Sequence, residues 1–385
     1  GHAGTLAWLA WRRARFARQT ASATMAGVVA SLALSVALTV MVSSFREAVT
    51  DWLDHVLPAD LYVRSSASAA AADQAVLPQD LPRRAAGLPG VTRVQAMRVV
   101  PMAIHPALPS VALMARPLPQ PEQSLPLVGT LADARPGETA VFVSEPAAAL
   151  HRWQVGQTIR LPLPQGSFEV RVRGIWRDYA RQFGAVAIDL ADYQRLTGDL
   201  RLNDLSVWLA PGASPAQAQA AVRQLAGPDH PLDSASTAEL RRISLAIFDR
   251  SFAVTRYLQA VAISVGLVGV AASLSAQVLA RRKEFGLLAH LGLRRRQVLG
   301  LVTLESLAWL GAGCVVGVGL GLAVAVVLVH VVNPQSFHWT MPLQVPFARL
   351  AALAAAVMLA GGITAAFSAR HAASAQAVLA VKEDW

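Results

Sequence analysis

"ARRKEFGLLAHLGLRRRQVLG", residues 280–300, stands between two long apolar runs. Six of its residues are Arg or Lys, and Glu284 is the one acidic residue among them. Phe285, Leu287, Leu288, Leu291 and Leu293 lie between the two basic ends. This stretch decides the fold, because a short Arg/Lys-rich loop between membrane-length runs fixes the side of the bilayer on which it stays.

On either side of it, no Asp, Glu, Lys, Arg or His occurs in residues 19–45, 257–280, 306–329 or 350–369. Each run reaches the roughly 20 residues that a helix needs to cross about 30 Å of hydrocarbon. Core helices of a soluble protein carry charge on the face that meets water. The composition agrees, with 54% hydrophobic and 15% charged residues in a chain of 385. The first run is longer than a cleaved signal core and follows Arg12, Arg13, Arg15 and Arg18. Arg281, Arg282, Lys283, Arg294, Arg295 and Arg296 lie between the second and third runs, and Arg370 follows the fourth. Both termini and the 280–297 loop are therefore expected in the cytoplasm. The net charge of +10 is explained by this placement, and neither aromatic interleaving nor zinc-ligand spacing points to nucleic acid.

The expected fold is an α-helical membrane domain of four transmembrane helices, with an α+β domain inserted between the first and second helices. A cytoplasmic segment (1–18) leads to a first span (19–45) and an outer domain with helical stalks (46–250). Three further spans (251–280, 298–331 and 347–369) complete the membrane part. Between them lie a cytoplasmic loop (281–297) and an outer loop (332–346), and a cytoplasmic tail (370–385) ends the chain. Within 46–250, "QTIRLPLPQGSFEVRVRGIW" reads as two strands around a turn, with Val170, Val172 and Gly174 alternating against Glu169, Arg171 and Arg173. "GAVAIDLADYQRL" reads as a strand then a helix, and "DLSVWLAPGASPAQAQAAVRQLAG" as a strand and a helix with Ser214 at its N-cap. Ala67–Ala72 reads as a loop. "SSFREAVTDWLDHVL" is expected to continue the first span as a helix ending before Pro58. "TAELRRISLAIFDRSFAVTRYLQAVAI" holds no Pro or Gly, so one unbroken helix is expected to carry the domain into the second span.

Gly313, Gly317 and Gly321 recur every four residues, which leaves one helix face without side chains for a neighbour to approach. Helix packing is the plain reading; a hinge or substrate path is the other. Glu305 is the one acid within the apolar stretch 298–331. It suits pairing with an arginine near the interface, or a proton relay. Phe337 and Trp339 in the outer loop suit headgroup anchoring or cargo contact. One cysteine, Cys314, allows no internal disulfide and no thiolate cluster. No nucleophile elbow or metal-ligand motif occurs, and His55, His105, His151 and His230 are scattered. The two lysines, Lys283 and Lys382, sit in no glycine-rich phosphate loop, so ATP hydrolysis is not expected from this chain.

A short helix over Arg281–Leu291, ended at Gly292, is expected to present apolar groups beneath the bilayer. Insertion into a groove on a soluble partner and simple interfacial anchoring both fit that pattern. The run "ARRKEFGLLAHLGLRRRQVLGLVTLESL" resembles the signature of the FtsX-like permease domain shared by the MacB and LolC/LolE permeases. The resemblance implies a coupling helix that docks on an ABC-type ATPase, with Arg281, Glu284, Phe285, Gly286, Leu288, Leu291 and Gly292 at the matching positions. Gln297 and Glu305 fit its continuation. The segments "DWLDHVLPADLYV", "WRDYARQFGAVAIDLADY" and "VVNPQSFHWTMPL" resemble the carboxy-terminal unit of two-unit permeases.

The resemblance implies a multi-pass protein of the bacterial inner membrane whose inserted domain is periplasmic. It would be the permease subunit of a mechanotransmission ABC transporter handling a lipid, lipoprotein or peptide. It would carry no cofactor of its own, ATP and Mg being bound by a LolD/MacB-type ATPase dimer. A second permease unit, membrane lipid and a periplasmic protein are the other expected partners. The alternative is a transmembrane scaffold that activates a periplasmic hydrolase without moving cargo.

Overall fold

The computed structural model describes residues 18–65, 76–228, 230–280, 284 and 295–372. The chain starts with α1 (Arg18–Val56), β1 (Leu61–Ser65), α2 (Leu81–Ala86), β2 (Val91–Met102) and β3 (Val111–Arg116). Then come α3 (Pro121–Ser124), β4 (Leu127–Val128), β5 (Ala140–Ser144), α4 (Glu145–His151), β6 (Thr158–Leu163) and β7 (Gly166–Trp176). Next are β8 (Ala185–Asp189), α5 (Leu190–Thr197), β9 (Asp204–Leu209), α6 (Pro215–Ala226), β10 (Leu232–Ser236) and α7 (Thr237–Ser251). The last part holds α8 (Ala253–Ala280), α9 (Arg295–Val327), a π turn (Leu328–Val332), α10 (Asn333–Phe337) and α11 (Phe347–Ala372). The loop expected at Ala67–Ala72, residues 1–17 and the tail from 373 lie outside the described residues.

Two compact units result. One takes the chain up to Phe45, Arg250–Val331 and the part from Pro342; the other takes Arg46–Asp249 and Val332–Met341. Among the described residues, four helices are long and apolar enough to cross a membrane. In the first unit, Val28, Leu32, Val36 and Val40 of α1 pack with Leu310 and Cys314 of α9 and with Leu350 and Val357 of α11. The i, i+4 spacing on α1 puts its four residues on one face. A polar tie joins α8 to α1, where Gln259 Nε2 donates to Ser35 O at 3.2 Å and Thr39 Oγ1 at 2.6 Å.

The second unit is built on a mixed ten-stranded sheet in the order β10-β1-β9-β2-β3-β8-β5-β7-β4, with β6 paired to β7. Strands β3 and β8, and β5 and β7, run parallel; the other pairs are antiparallel. Val111, Leu113 and Ala115 of β3 enter one core, and Met114 enters the core on the opposite face. In β8, Val186 and Ile188 divide from Ala185 and Ala187 in the same way. Burial on both faces explains why these strands are continuous apolar runs. At the other end of the sheet, Leu61, Val63, Leu205 and Val207 meet α2 and α6 through Leu81, Ala85 and Val222.

One strand serves both ends. β2 pairs with β9 from Val91 to Met97, and with β3 from Arg98 to Met102. At the changeover the buried Asn203 side chain takes the place of a ladder residue. Its Oδ1 accepts from Val99 N at 2.8 Å and its Nδ2 donates to Val99 O at 2.7 Å.

Two details differ from expectation. The helix leading into the second span is interrupted at Phe252, with a turn between α7 and α8. That turn sets Phe252 against Phe45, ring centroids 5.5 Å apart. Ser214 holds the N-cap position of α6, but its side chain makes no cap hydrogen bond. Pro215 at the first helical position has no N–H to satisfy, and the Ser214 carbonyl accepts from Ala218 N at 3.1 Å.

Candidate functional site

A polar and aromatic cluster of the second unit joins the three segments singled out in the sequence. From the first, Trp52 on α1 donates its indole Nε1–H to Arg177 O at 3.0 Å. From the second, Tyr179 stands edge-on to Trp52 with centroids 5.8 Å apart, and edge-on to Trp339 of the third at 5.4 Å. The Tyr179 hydroxyl donates to Thr340 O at 2.8 Å.

The outer loop is not irregular throughout. Asn333–Phe337 form a helical turn closed at His338, whose φ of 61° lies in the left-handed region. Asn333 Nδ2 then donates to Trp339 O at 3.0 Å, and Phe337 stacks on Trp339 at 5.2 Å. The two aromatics read as headgroup anchors or cargo contacts are therefore packed on each other, and Trp339 is packed on Tyr179.

Glu145 completes the cluster. It is the first residue of α4, where the positive end of the helix dipole favours a carboxylate. Ser144 caps that helix and also accepts from Ala185 N at 2.8 Å, which ties the helix start to β8. Glu145 is 9% exposed and takes two bonds from Thr340, Oγ1–H to Oε1 at 2.6 Å and N–H to Oε2 at 3.2 Å. Arg177 Nε lies 3.9 Å from Oε2. Burial holds the Glu145 carboxyl above its usual range, against the lowering pull of the Thr340 bonds and the Arg177 charge. Burial likewise pushes the Tyr179 phenol up to about 12, so it stays a neutral donor.

Thr340→Val removes the hydroxyl bond to a buried carboxylate, and a hydrogen bond to a charged group is worth about 1.5–3 kcal/mol. Amide exchange across 338–341 is expected to quicken roughly tenfold or more, read by deuterium uptake and mass spectrometry. Unchanged uptake would show that the loop is held by something other than Glu145.

The sequence-based site residues fall elsewhere. Arg281, Phe285, Gly286, Leu288, Leu291 and Gly292 lie outside the described residues; Glu284 is helical and exposed. A Cβ at Gly313 would stand 3.3 Å from Val28 Cγ1, and one at Gly317 3.2 Å from Leu32 Cβ. At Gly321 it would stand 2.6 Å from Val36 Cβ and 2.7 Å from Ala33 O. Glu305 is 6% exposed in α9 and is engaged in an interaction within the protein. The described residues hold no group of three or more His, Cys, Asp or Glu placed to bind a metal. Sequence reasoning missed Glu145 and Arg177 as individuals, although Arg177 stands inside a quoted segment. Nothing in the local pattern around Glu145 points 195 residues ahead to Thr340.

Known proteins share both parts of the chain. The family model described as MacB-like periplasmic core domain matches residues 21–225, and that described as FtsX-like permease C-terminal matches residues 258–377. An uncharacterised ABC transporter permease protein of Mycobacterium tuberculosis is 28% identical over 351 residues, which cover 88% of this chain and 41% of that protein. The chain thus spans about two fifths of the length of the curated relative it matches. The periplasmic region of MacB from Actinobacillus actinomycetemcomitans is similar at a TM-score of 0.36 and 10% identity, covering 50% of this chain and 94% of that one. The extracellular domain of the noncanonic ABC-type transporter YknZ from Gram-positive bacteria is similar at 0.32 and 14%, covering 46% and 98%.

Proposed function

Because the chain belongs to the ABC transporter permeases that join a MacB-like periplasmic core domain to an FtsX-like permease region, we propose that it transmits motion from a partner ATPase to that domain. ATP, with Mg, is bound and hydrolysed on a separate LolD/MacB-type dimer. The coupling helix Arg281–Gly292 seats Phe285, Leu288 and Leu291 in a groove of that dimer, and the arginines keep it at the cytoplasmic face. The protein lies in the bacterial inner membrane with both termini in the cytoplasm. Its mixed-sheet domain is periplasmic, inserted between the first and second spans. A second permease unit completes the assembly, and the cargo is a lipid, lipoprotein or peptide handled on the periplasmic side. Gly313, Gly317 and Gly321 keep the first and third spans in close contact, and Glu305 pairs with an arginine near the cytoplasmic interface.

The observation that carries this reading is the bonding of Thr340 to Glu145. The chain passes between the two units after Phe45, after Asp249, after Val331 and after Met341. The first two passages are helical or nearly so, and the last two flank a loop tied into the domain by Glu145, Tyr179 and Arg177. In this proposal, motion of the helices enters the domain along these passages.

The test replaces Phe285 and Leu288 together by Asp. Co-purification of the ATPase is expected to fall at least tenfold, while the yield and melting temperature of the permease stay unchanged. ATPase recovery at the wild-type level would sink the docking role.

A further inference from the structure

The second unit contains a cavity of about 510 Å³, lined by Trp52, Tyr62, Met97, Met114, Arg116 and Trp176 among others. It lies against β1 and β9, where Tyr62, Arg64, Asp204 and Ser206 line it, while Leu61 and Val207 of the same strands belong to the α2/α6 core. Its size is that of sites which enclose a drug-sized organic molecule.

The polar groups in it are unmatched in one direction. Arg116 forms no ion pair or hydrogen bond among the described residues, and the neighbouring charge that acts on it is the cationic Arg93. Burial lowers its pKa, yet a guanidinium stays charged in a protein. Tyr62 accepts from Ala59 N at 3.0 Å, and no acceptor takes its own proton among the described residues. Its phenol, pushed up to about 12 mainly by burial, remains a donor at neutral pH. Trp176 is 2% exposed and contributes ring surface at the cavity's edge. Two carboxylates also line the cavity. Asp204 is held by Arg64 at 2.7 Å, and Asp233 is exposed. Buried donors of a native protein nearly always have acceptors, and a half-buried charge is normally paired. Arg93, seated over the Trp208 ring at 4.6 Å, adds positive potential at the same wall.

We propose that this cavity is a binding site for an amphiphilic organic anion, whose carboxylate or phosphate meets the Arg116 fork and whose apolar body lies against Met97, Met114 and the tryptophans. A fork of parallel N–H donors matches the two oxygens of either group. Tyr62 O–H supplies a further donor to the same ligand. A cation would be repelled by Arg116 and Arg93 at this wall, and a neutral hydrocarbon leaves the guanidinium unmatched. The site goes beyond the transmission reading and requires neither nucleotide nor a second chain.

The probe is a decanoate bearing a photoreactive diazirine on its chain, applied to the full-length chain in detergent without nucleotide. Saturable adducts are expected in peptides containing 95–97, 114–116 and 176. Plain decanoate and decyl phosphate should compete with it, and decanol should compete at least tenfold more weakly. Arg116→Gln should cut saturable labelling at least tenfold without lowering the melting temperature, because it removes a desolvated charge that has no partner. A melting temperature that falls with the labelling would mark Arg116 as structural and overturn the proposal. Met114→Trp, which fills the cavity and keeps the charge, should abolish the labelling as well. Adducts confined to the membrane helices, or equal competition by decanol, would also overturn it. Stronger competition by decyl phosphate than by decanoate, or the reverse, supports the site and identifies the headgroup.

Discussion

Asp199→Asn is expected to destabilise the mixed-sheet domain by about 3–5 kcal/mol, the cost of leaving a buried charge without its partner. Arg98 is 3% exposed, and its Nε lies 3.3 Å from Asp199 Oδ2. The same carboxylate accepts from the Tyr193 hydroxyl at 3.1 Å and from Arg201 Nε and Nη2 at 2.7 and 3.1 Å. An asparagine keeps one acceptor and turns an amide N–H₂ toward guanidinium groups that need acceptors. Burial pushes the Asp199 carboxyl up, but the Arg201 bonds, the Arg98 charge and the Tyr193 bond outweigh it and bring the pKa down to about 2 from 3.8. A folded-state pKa below the unfolded one gives stability that is full above the unfolded value and lost as pH falls through about 2. Urea unfolding followed by deuterium uptake in β2 and α5 measures both effects. The variant should lose midpoint at neutral pH and also lose this group's share of the acid dependence. A midpoint equal to wild type would mean that Arg98 is satisfied elsewhere.

Gly321→Val is the second large effect. A Cβ at that position meets Val36 Cβ at 2.6 Å and the Ala33 carbonyl at 2.7 Å, so α1 and α9 must separate there. Overpacking a tight contact costs about 1–3 kcal/mol, and the obstruction here includes backbone, which relaxes less readily than a side chain. Because Gly313 and Gly317 stand against Val28 and Leu32 on the same two helices, separation at Gly321 loosens contacts along the whole stripe. The expected readout is a melting temperature lowered by several degrees in detergent, with a smaller loss for Gly313→Ala, where the nearest atom is 3.3 Å away. Equal losses at the two positions would contradict the graded contact.

The membrane part was legible because its signal is local: length without charge marks a span, and the four-residue recurrence of glycine marks a contact face. The partner of that face was not legible, since Val28, Leu32 and Val36 look like any other apolar residues of a span. In the domain, "EVRVRGIW" revealed its strand by alternation, whereas the two-sided strands β3, β5 and β8 carry no pattern from which sheet order can be read. The turn at Phe252 has no Pro or Gly to announce it. The Glu145–Thr340 and Arg98–Asp199 contacts join residues 195 and 101 apart, a separation that no local rule spans.

Strand β2 runs uninterrupted from one half of the sheet to the other, with Asn203 bridging the changeover. Opening the halves like jaws would tear hydrogen bonds from both flanks of a single backbone. A load on either half is therefore carried to the other through β2, and the sheet responds as one plate.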